Sequence, residues 1–364
     1  MQRAEGVGGA VEVGAGCGRG ARQVGPYQVL TTIDPGRRGG GDRTVPAARF
    51  IARTPGGDRT VLLSTPAPGV DPHRFMAEAD AARYLLGTWT LPTVELAPPG
   101  EPAWHARPYL PVLPLPAALA VHGGPLPERT VCALGAALAE TLAVVHGQNL
   151  VHAGVCPAAV LITFDGPRLD CFGGVRAAAA DGDVRRGLPG VDDTALAPEQ
   201  AAGGLPRPLG DVYALGATLA YAATGHPVPE RDELPPGLRS LVARCLSRDP
   251  AQRPQLVDVV AELSDAGQEG PAAARQPAGF GAADRASALL APGWLPARLV
   301  AALAHQAASV LDADVPQPAP QPQPSQAPLT PPAPLTPPAA HTPPAVHAPP
   351  AAHTPHTPHP PHAF

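Results

Sequence analysis

The sequence predicts an α+β fold made of two lobes, a small β-rich one followed by a mostly helical one. Three observations carry this prediction. Short strand patterns recur over residues 27–109, long helical patterns follow from 126 onward, and the excess of Pro and Gly lies towards the two ends of the chain. Strands grouped ahead of helices, and not alternating with them, indicate an α+β arrangement.

The small lobe is predicted over residues 26–110. PYQVL begins it as a strand, and FIAR and RTVLLS form two further strands around the Gly-Gly turn of TPGGD. Residues 71–86 predict a helix, because Asp71 can cap it, Pro72 suits its first position and apolar residues recur at helical spacing.

The helical lobe is predicted over residues 111–265. Its helices are expected at 126–148, 211–225, 236–249 and 254–265, where apolar residues recur at helical spacing. After it, residues 266–292 have the composition of a loose linker, and residues 293–313 predict an amphipathic helix. That helix either packs back on the domain or meets a partner, and packing is favoured because an isolated apolar face is a liability.

Both ends of the chain are predicted to be disordered. Residues 1–25 are rich in Gly and Ala, and residues 314–364 form a Pro- and His-rich tail with the composition of an extended polyproline II segment. The tail carries Thr-Pro pairs, which suit a Pro-binding partner. Its His residues at three-residue intervals suit weak binding of a divalent metal, or are simply part of a low-complexity tail.

Composition excludes several classes of function. The net charge of −5 over 364 residues leaves no basic field for nucleic acid or anionic lipid, and all 26 cationic residues are Arg. The five cysteines lack CxxC spacing, which favours a reduced, intracellular setting. No stretch was expected to approach the roughly 20 apolar residues of a membrane span. These observations predict a soluble cytoplasmic protein without a membrane or nucleic-acid partner.

Several stretches of the helical lobe form a recognisable series. They are LVHAGVCPAAVLI (150–162), RLDCFGG (168–174), ALAPEQ (195–200), LGDVYALG (209–216) and CLSRDPAQRP (245–254). In this order and spacing they resemble the catalytic loop HRDLKPxNVLL, the DFG strand, the APE motif and the C-lobe motifs of protein kinases. Residues 27–265, about two thirds of the chain, therefore resemble a bacterial serine/threonine kinase domain of the actinobacterial type, and the resemblance implies a bilobal kinase-like fold.

The resemblance also implies which residues stand at the catalytic positions. Phosphoryl transfer needs a carboxylate for the hydroxyl proton, metal ligands and cations on the phosphates. The family's groups fall on Gly154 (the catalytic carboxylate), Cys156 (the loop Lys), Ala159 (the metal-binding amide), Cys171 (the DFG Asp) and Ser64 (the VAIK Lys). The helix Glu that pairs with the VAIK Lys survives as Glu78 and is expected to lack a partner. The catalytic and metal sites are therefore expected to be absent.

Neighbouring residues are not expected to replace these groups. Asp170 precedes Cys171, and because adjacent side chains of a strand face opposite sides, it is predicted to point away from the cleft. Asp165 lies at the far end of that strand. The chain contains no Lys to supply a phosphate ligand. An Arg, for example from Arg37 or Arg38, would bind phosphate without rebuilding the metal sites.

The implied nucleotide pocket is altered as well. Leu62 replaces the small Ala that covers the adenine in the family, Arg107 falls at the gatekeeper position, and DPGRRGGGD (34–42) lacks the spacing of a glycine-rich loop. The N–H of Leu110 remains available to an adenine edge. No cofactor is expected, although binding of ATP without Mg²⁺ stays open.

The structural residues of the family are retained. They are His152, Phe172, Gly173, Glu199, Asp211 and Arg253. The resemblance implies that Asp211 is buried beneath the catalytic loop and that Glu199 and Arg253 form a buried ion pair. A chain that keeps these residues and lacks the chemical ones is predicted to be a pseudokinase, acting as a scaffold or allosteric partner of a protein such as an active kinase. The alternatives are a divergent but active ATP-dependent serine/threonine kinase and a remnant without a molecular role.

Overall fold

A computed structural model describes residues 22–34, 44–267 and 282–313. The predictions for residues 1–21, for Arg37 and Arg38, and for the tail from 314 onward lie outside the described residues. Within them, the α+β bilobal kinase-like fold predicted from the sequence is confirmed: an antiparallel sheet forms one lobe, and helices form most of the other.

In the part of the small lobe that the structure describes, an antiparallel sheet of six strands has the order β1-β2-β3-β4-β6-β5 and is joined by one α-helix. Its elements are β1 (Gln23–Val24), β2 (Tyr27–Thr32), β3 (Ala47–Arg53), β4 (Thr60–Pro66), α1 (Pro72–Ala81), β5 (Glu95–Leu96) and β6 (His105–Pro108). As predicted, β3 and β4 form a hairpin, with Ile51 opposite Leu62. Asp71 caps α1 by accepting a bond of 2.8 Å from the N–H of His73. The helix ends before the predicted residue 86, because the chain tightens into a 3-10 turn and then becomes extended at Leu85.

The helical lobe carries a small sheet in the order β7-β8-β9 beneath the cleft. Its elements are β7 (Leu113–Pro114), α2 (Leu115–His122), α3 (Glu128–Gly147), β8 (Val160–Thr163), β9 (Gly166–Leu169), α4 (Gly174–Ala178), α5 (Pro198–Ala201), α6 (Pro208–Thr224), α7 (Pro236–Cys245) and α8 (Leu256–Gly267). The four helices predicted for this lobe correspond to α3, α6, α7 and α8.

Helix α3 forms the centre of the helical lobe. Its 20 residues are long and apolar enough to cross a membrane, so the expectation that no stretch approaches that length was wrong. However, 72% of its apolar window is buried inside the protein, among core residues such as Leu134, Leu138 and Leu142. The core helix of a folded lobe requires the same composition, so the pattern is weak support for a membrane span.

Two further helices, α9 (Ala282–Leu289) and α10 (Ala297–Leu311), follow the helical lobe. The sequence predicted a loose linker over 266–292, but α9 forms within that range because Ala286 and Leu289 enter the main hydrophobic core. Helix α10 buries Leu299, Leu303 and Val310 against the protein. Of the two alternatives left open for this helix, the structure therefore has the packed one.

Candidate functional site

The catalytic-loop segment is held from below by a buried carboxylate. Asp211 of α6 accepts backbone N–H bonds of 2.8 Å from His152 and Ala153, and it contacts Nε2 of His146 at 2.9 Å. His152 packs edge-on against Phe172, with ring centroids 5.6 Å apart. Burial lowers the pKa of His152 to about 4, so the ring is neutral. The predicted structural roles of these residues match their positions.

The position of the catalytic carboxylate has no room for a side chain. Gly154 lies against the residue at the DFG Asp position, and a Cβ placed on Gly154 would stand 1.9 Å from the carbonyl oxygen of Cys171. Contacts below 3.0 Å are not found for real Cβ atoms, so an Asp here would require the backbone to move. The backbone of Cys171 is in the left-handed region, with a φ of 62°.

The other catalytic-loop positions are lined by small buried groups. Ala159 is fully buried, and Sγ of Cys156 faces the carbonyl of Thr44 at 3.6 Å. Burial raises the pKa of Cys156 to about 12 and that of Cys171 to about 11, so both thiols are neutral near pH 7. Metals and electrophiles require the thiolate. In the described residues, no three His, Cys, Asp or Glu side chains are grouped so that they could hold a metal.

Ser64 of β4 stands at the position of the phosphate-binding Lys and is fully buried. Its hydroxyl accepts a bond of 2.6 Å from Nη2 of Arg107, the residue predicted at the gatekeeper position. The guanidinium of Arg107 thus reaches back into the cleft. It occupies space near the phosphate-binding position and is already engaged with protein groups.

Asp170 does not point away from the cleft, which corrects the prediction made for it. Its carboxylate pairs with Nη1 of Arg107 and, at 3.2 Å, with Nη1 of Arg49. Strand β9 ends at Leu169, so the alternation of side chains along a strand no longer applies to the next residue. All three side chains are buried. Asp165, by contrast, is 67% exposed and pairs with Arg168 at the far end of the strand.

Arg49 completes a buried cluster of charges that sequence reasoning missed. It donates from Nη2 and Nε to the carboxylate of Asp34, at 2.6 and 3.1 Å. We call Asp34, Arg49, Arg107 and Asp170 the cleft cluster; its two Arg and two Asp balance in charge. One signal could have indicated the burial of Arg49: it stands two residues before the apolar Ile51 in β3, so the two side chains face the same side of the sheet.

Glu78 does have a partner, contrary to expectation. Its two carboxylate oxygens accept bonds of 2.8 and 2.7 Å from Nε and Nη2 of Arg176, which lies on α4 just after the Phe-Gly pair. Gly173, which follows Phe172, has a φ of 70°, in the left-handed region that favours Gly, and a Cβ there would also crowd this carboxylate. Through Glu78, helix α1 is therefore tied to α4, which follows Cys171, and the carboxylate does not pair with Ser64 of β4.

The adenine side of the cleft is filled with apolar side chains. Leu62 packs in one cluster with Ile51, Val112, Leu161 and, from α10, Val310. Leu110 and Tyr109 are partly buried against the same cluster. The residues predicted for the nucleotide pocket are thus brought together, but they contact one another and Val310 of the helix Ala297–Leu311.

The ion pair between Glu199 and Arg253 is present, with N–O distances of 2.6 and 2.9 Å. The Arg253 side chain is fully buried, whereas Glu199 is 32% exposed, so the pair is only partly withdrawn from water. Although burial opposes it, the hydrogen bonds from Arg253 lower the pKa of Glu199.

No protein-family model matches the chain, but curated relatives do. It is 33% identical over 266 residues to the probable serine/threonine-protein kinase PkwA of Thermomonospora curvata, covering 66% of this chain and 34% of PkwA. It is 30% identical over 304 residues to the serine/threonine-protein kinase AfsK of Streptomyces coelicolor, covering 77% of this chain and 35% of AfsK. This chain is a relative of the bacterial serine/threonine protein kinases.

A third relative of this kinase-like chain is the serine/threonine-protein kinase PknK of Mycobacterium tuberculosis, 31% identical over 239 residues, which cover 57% of this chain and 21% of PknK. The chain spans about a third of the length of PkwA and AfsK. The resemblance predicted from the motifs is therefore confirmed at the level of the kinase-like domain.

Proposed function

We propose that this kinase relative is a pseudokinase, which acts through its surface as a scaffold or allosteric signalling partner. The observation that carries the proposal is the contact between Gly154 and the carbonyl oxygen of Cys171, which takes the space that a catalytic carboxylate would need. Gly154, Cys171 and Ala159 supply neither a proton acceptor at the catalytic position nor ligands at the metal-binding positions, and phosphoryl transfer needs both.

The cleft cluster supports the same proposal. A nucleotide entering the cleft would have to displace Arg107 from Ser64 and Asp170, and would leave Asp170 buried without one of its cations. Removing the only partner of a buried charge costs about 3–5 kcal/mol; Arg49 stays beside Asp170, so the cost here is a part of that. The cluster thus opposes ATP binding, with or without Mg²⁺.

The second candidate is a divergent but active serine/threonine kinase, favoured by the names of the relatives. Calorimetric titration of the full chain with ATP, and then with ATP and Mg²⁺, separates the two. We expect no heat and no change in melting temperature in either titration. Binding that tightens strongly with Mg²⁺, together with phosphate incorporation detected by mass spectrometry, would move the active kinase to first place.

Binding of ATP that is indifferent to Mg²⁺ would keep the pseudokinase but make it a nucleotide-sensing one. An active serine/threonine kinase domain, titrated under identical conditions, is the positive control. It shows that the ATP and the Mg²⁺ are competent for binding and transfer.

The partner that we propose is a cytoplasmic protein, either an active kinase or a protein with a Pro-binding domain that takes the tail. Free cysteines at 132, 156, 171 and 245 support a reducing setting. Pro-rich segments dock in aromatic-lined grooves at low entropic cost. Affinity capture with the full chain and with a chain lacking 315–364 tests the tail: partners lost on deletion support its role, and identical partners contradict it.

A further inference from the structure

Helix α10 crosses the segment that joins the two lobes. The hinge segment, residues 107–112, leads from β6 of the small lobe to β7 of the helical lobe. Leu299 and Leu303 anchor the first half of α10 in the main core of the helical lobe. The second half runs on to the hinge segment and to the small lobe, so one helix contacts both lobes.

The carboxamide of Gln306 pairs with the backbone of the hinge segment. Its Oε1 accepts a bond of 2.7 Å from the N–H of Val112, and its Nε2 donates a bond of 2.9 Å to the carbonyl of the same residue. A donor and an acceptor side by side, both used by one planar amide, fix position and orientation together. Gln306 therefore takes up both backbone polar groups of Val112 in the hinge segment.

Val310, one turn further along, enters the apolar cluster at the adenine side of the cleft. It is 3% exposed and shares that cluster with Ile51 and Leu62 of the small lobe and with Leu161 of the helical lobe. Because Val310 packs against both lobes, it opposes their separation: opening of the cleft would expose apolar surface on each lobe to water.

The small lobe also holds the end of α10. Arg53 of β3 donates from Nη2 to the carbonyl of Val310 and, at 3.0 Å, from Nη1 to the carbonyl of Ala313. The last carbonyls of a helix lack partners within it, and a cation near them is favourable. Arg53 thus both caps α10 and ties it to the sheet of the small lobe.

We propose that α10 is an intramolecular occupant of the hinge side of the cleft, and that by filling it with Gln306 and Val310 it locks the two lobes together. The inference deepens the proposed function, because it names the segment that closes the cleft. It rests on contacts at the hinge, away from the catalytic and metal-binding positions.

Hydrogen exchange of the full-length protein, followed by mass spectrometry, tests the lock without any nucleotide. The matched variants are Val310→Asp and Leu311→Asp, since the two residues are neighbours but Leu311 is 79% exposed. We expect exchange in peptides covering 105–113 to accelerate at least tenfold in Val310→Asp and to stay unchanged in Leu311→Asp. Exchange in α3 should be unchanged in both, which shows that the helical lobe remains folded.

Gln306→Ala is a second variant that keeps the proposal testable if Val310→Asp does not fold, and His305→Ala, on the exposed side of α10, is its control. We expect faster exchange at the hinge in Gln306→Ala alone. The lock would be overturned if peptides of the hinge segment exchanged at the same rate in Gln306→Ala as in His305→Ala, and in a folded Val310→Asp as in Leu311→Asp. This outcome does not depend on the result of the ATP titration. If the protein bound ATP while its hinge segment remained protected from exchange, the proposal that the cleft takes no nucleotide would be wrong, but the proposal that α10 locks the lobes would be retained.

Discussion

The guanidinium of Arg107 and the carboxylate of Asp170 form an ion pair that is almost fully withdrawn from water, with side-chain exposures of 6% and 1%. Arg107 belongs to the small lobe and Asp170 to the helical lobe, so the pair joins the two lobes inside the cleft. Arg49 adds a second contact to the same carboxylate from β3. A charge pair in this place holds the lobes in one orientation and occupies the space of a ligand.

Removal of the shared carboxylate should destabilise the protein strongly. In Asp170→Ala, Arg107 is left buried without its anion, and we expect a loss of about 3–5 kcal/mol in the free energy of unfolding, measured by urea denaturation. Asp165→Ala is the control, because it removes an exposed partner of Arg168 and should cost less than about 1 kcal/mol. Equal costs would mean that the cleft cluster is not a stabilising unit.

Addition of a single methyl group at Gly154 should be harmful. In Gly154→Ala, the new Cβ meets the carbonyl of Cys171 and either the catalytic loop or the turn at Cys171 must shift, at a cost of about 1–3 kcal/mol. Gly147, at the end of α3, has no atom within 4 Å of its added Cβ, so Gly147→Ala should be neutral or slightly stabilising. The melting temperatures of the two variants are compared with that of the original protein. An unchanged melting temperature in Gly154→Ala would show that the site has room for a side chain.

Glu78 and Arg176 should be energetically coupled. A double-mutant cycle with Glu78→Gln and Arg176→Gln is expected to give a coupling of about 1–2 kcal/mol, because the pair is bidentate and only 18% and 26% exposed. The control is the exposed ion pair between Asp80, in α1, and Arg83, in the 3-10 turn that follows. The same cycle on this pair should give less than about 0.5 kcal/mol. Coupling as weak as in this control would argue that α1 is free of α4.

Stability should fall in weak acid because of His152. Burial lowers its pKa from the ordinary value of 6.5 to about 4 in the folded state. The charges of Arg176 and His146 lower the pKa further, whereas the Asp211 carboxylate raises it. The unfolded chain therefore takes up a proton first as the pH drops. The stability contributed by the neutral ring is present above about pH 6.5 and is lost as the pH falls to about 4, by about 3 kcal/mol in total.

The variant His152→Phe isolates this effect, since it keeps an aromatic ring against Phe172 and cannot be protonated. Urea denaturation between pH 7 and pH 4 should show a smaller loss of stability in the variant than in the original protein. His305→Phe, on the surface of α10, should follow the original protein. Parallel curves for His152→Phe and the original protein would rule out His152 as a source of the acid sensitivity.

The fold and the residues that stand at the motif positions could be read from the sequence, because they depend on local patterns. Strand and helix periodicity located the lobes, and the motifs located Gly154, Cys171 and Ser64 without three-dimensional information. The cleft cluster could not be found in this way. Arg49 and Asp170 are 121 residues apart, and nothing in their local sequence shows that one carboxylate serves two Arg side chains.

The partner of Glu78 was missed for a related reason. The family pattern directs attention to β4, where Ser64 stands, whereas the actual cation, Arg176, follows the Phe-Gly pair on α4. The path of the segment after Cys171 decides which cation reaches Glu78. That path depends on the left-handed backbone at Cys171, which residue type alone does not indicate.

The contact between Gly154 and Cys171 restricts the substitutions that the chain can accept at residue 154. A codon change to Asp at 154 would introduce a steric clash, because the backbone of residue 171 already occupies the space of the new side chain. Under the proposed pseudokinase function, this one substitution costs stability and brings no activity by itself, because Cys171, Ala159 and Ser64 still stand at the other positions. Selection for activity would therefore have to act on residue 154 and on the turn at residue 171 together, because this contact couples the two positions.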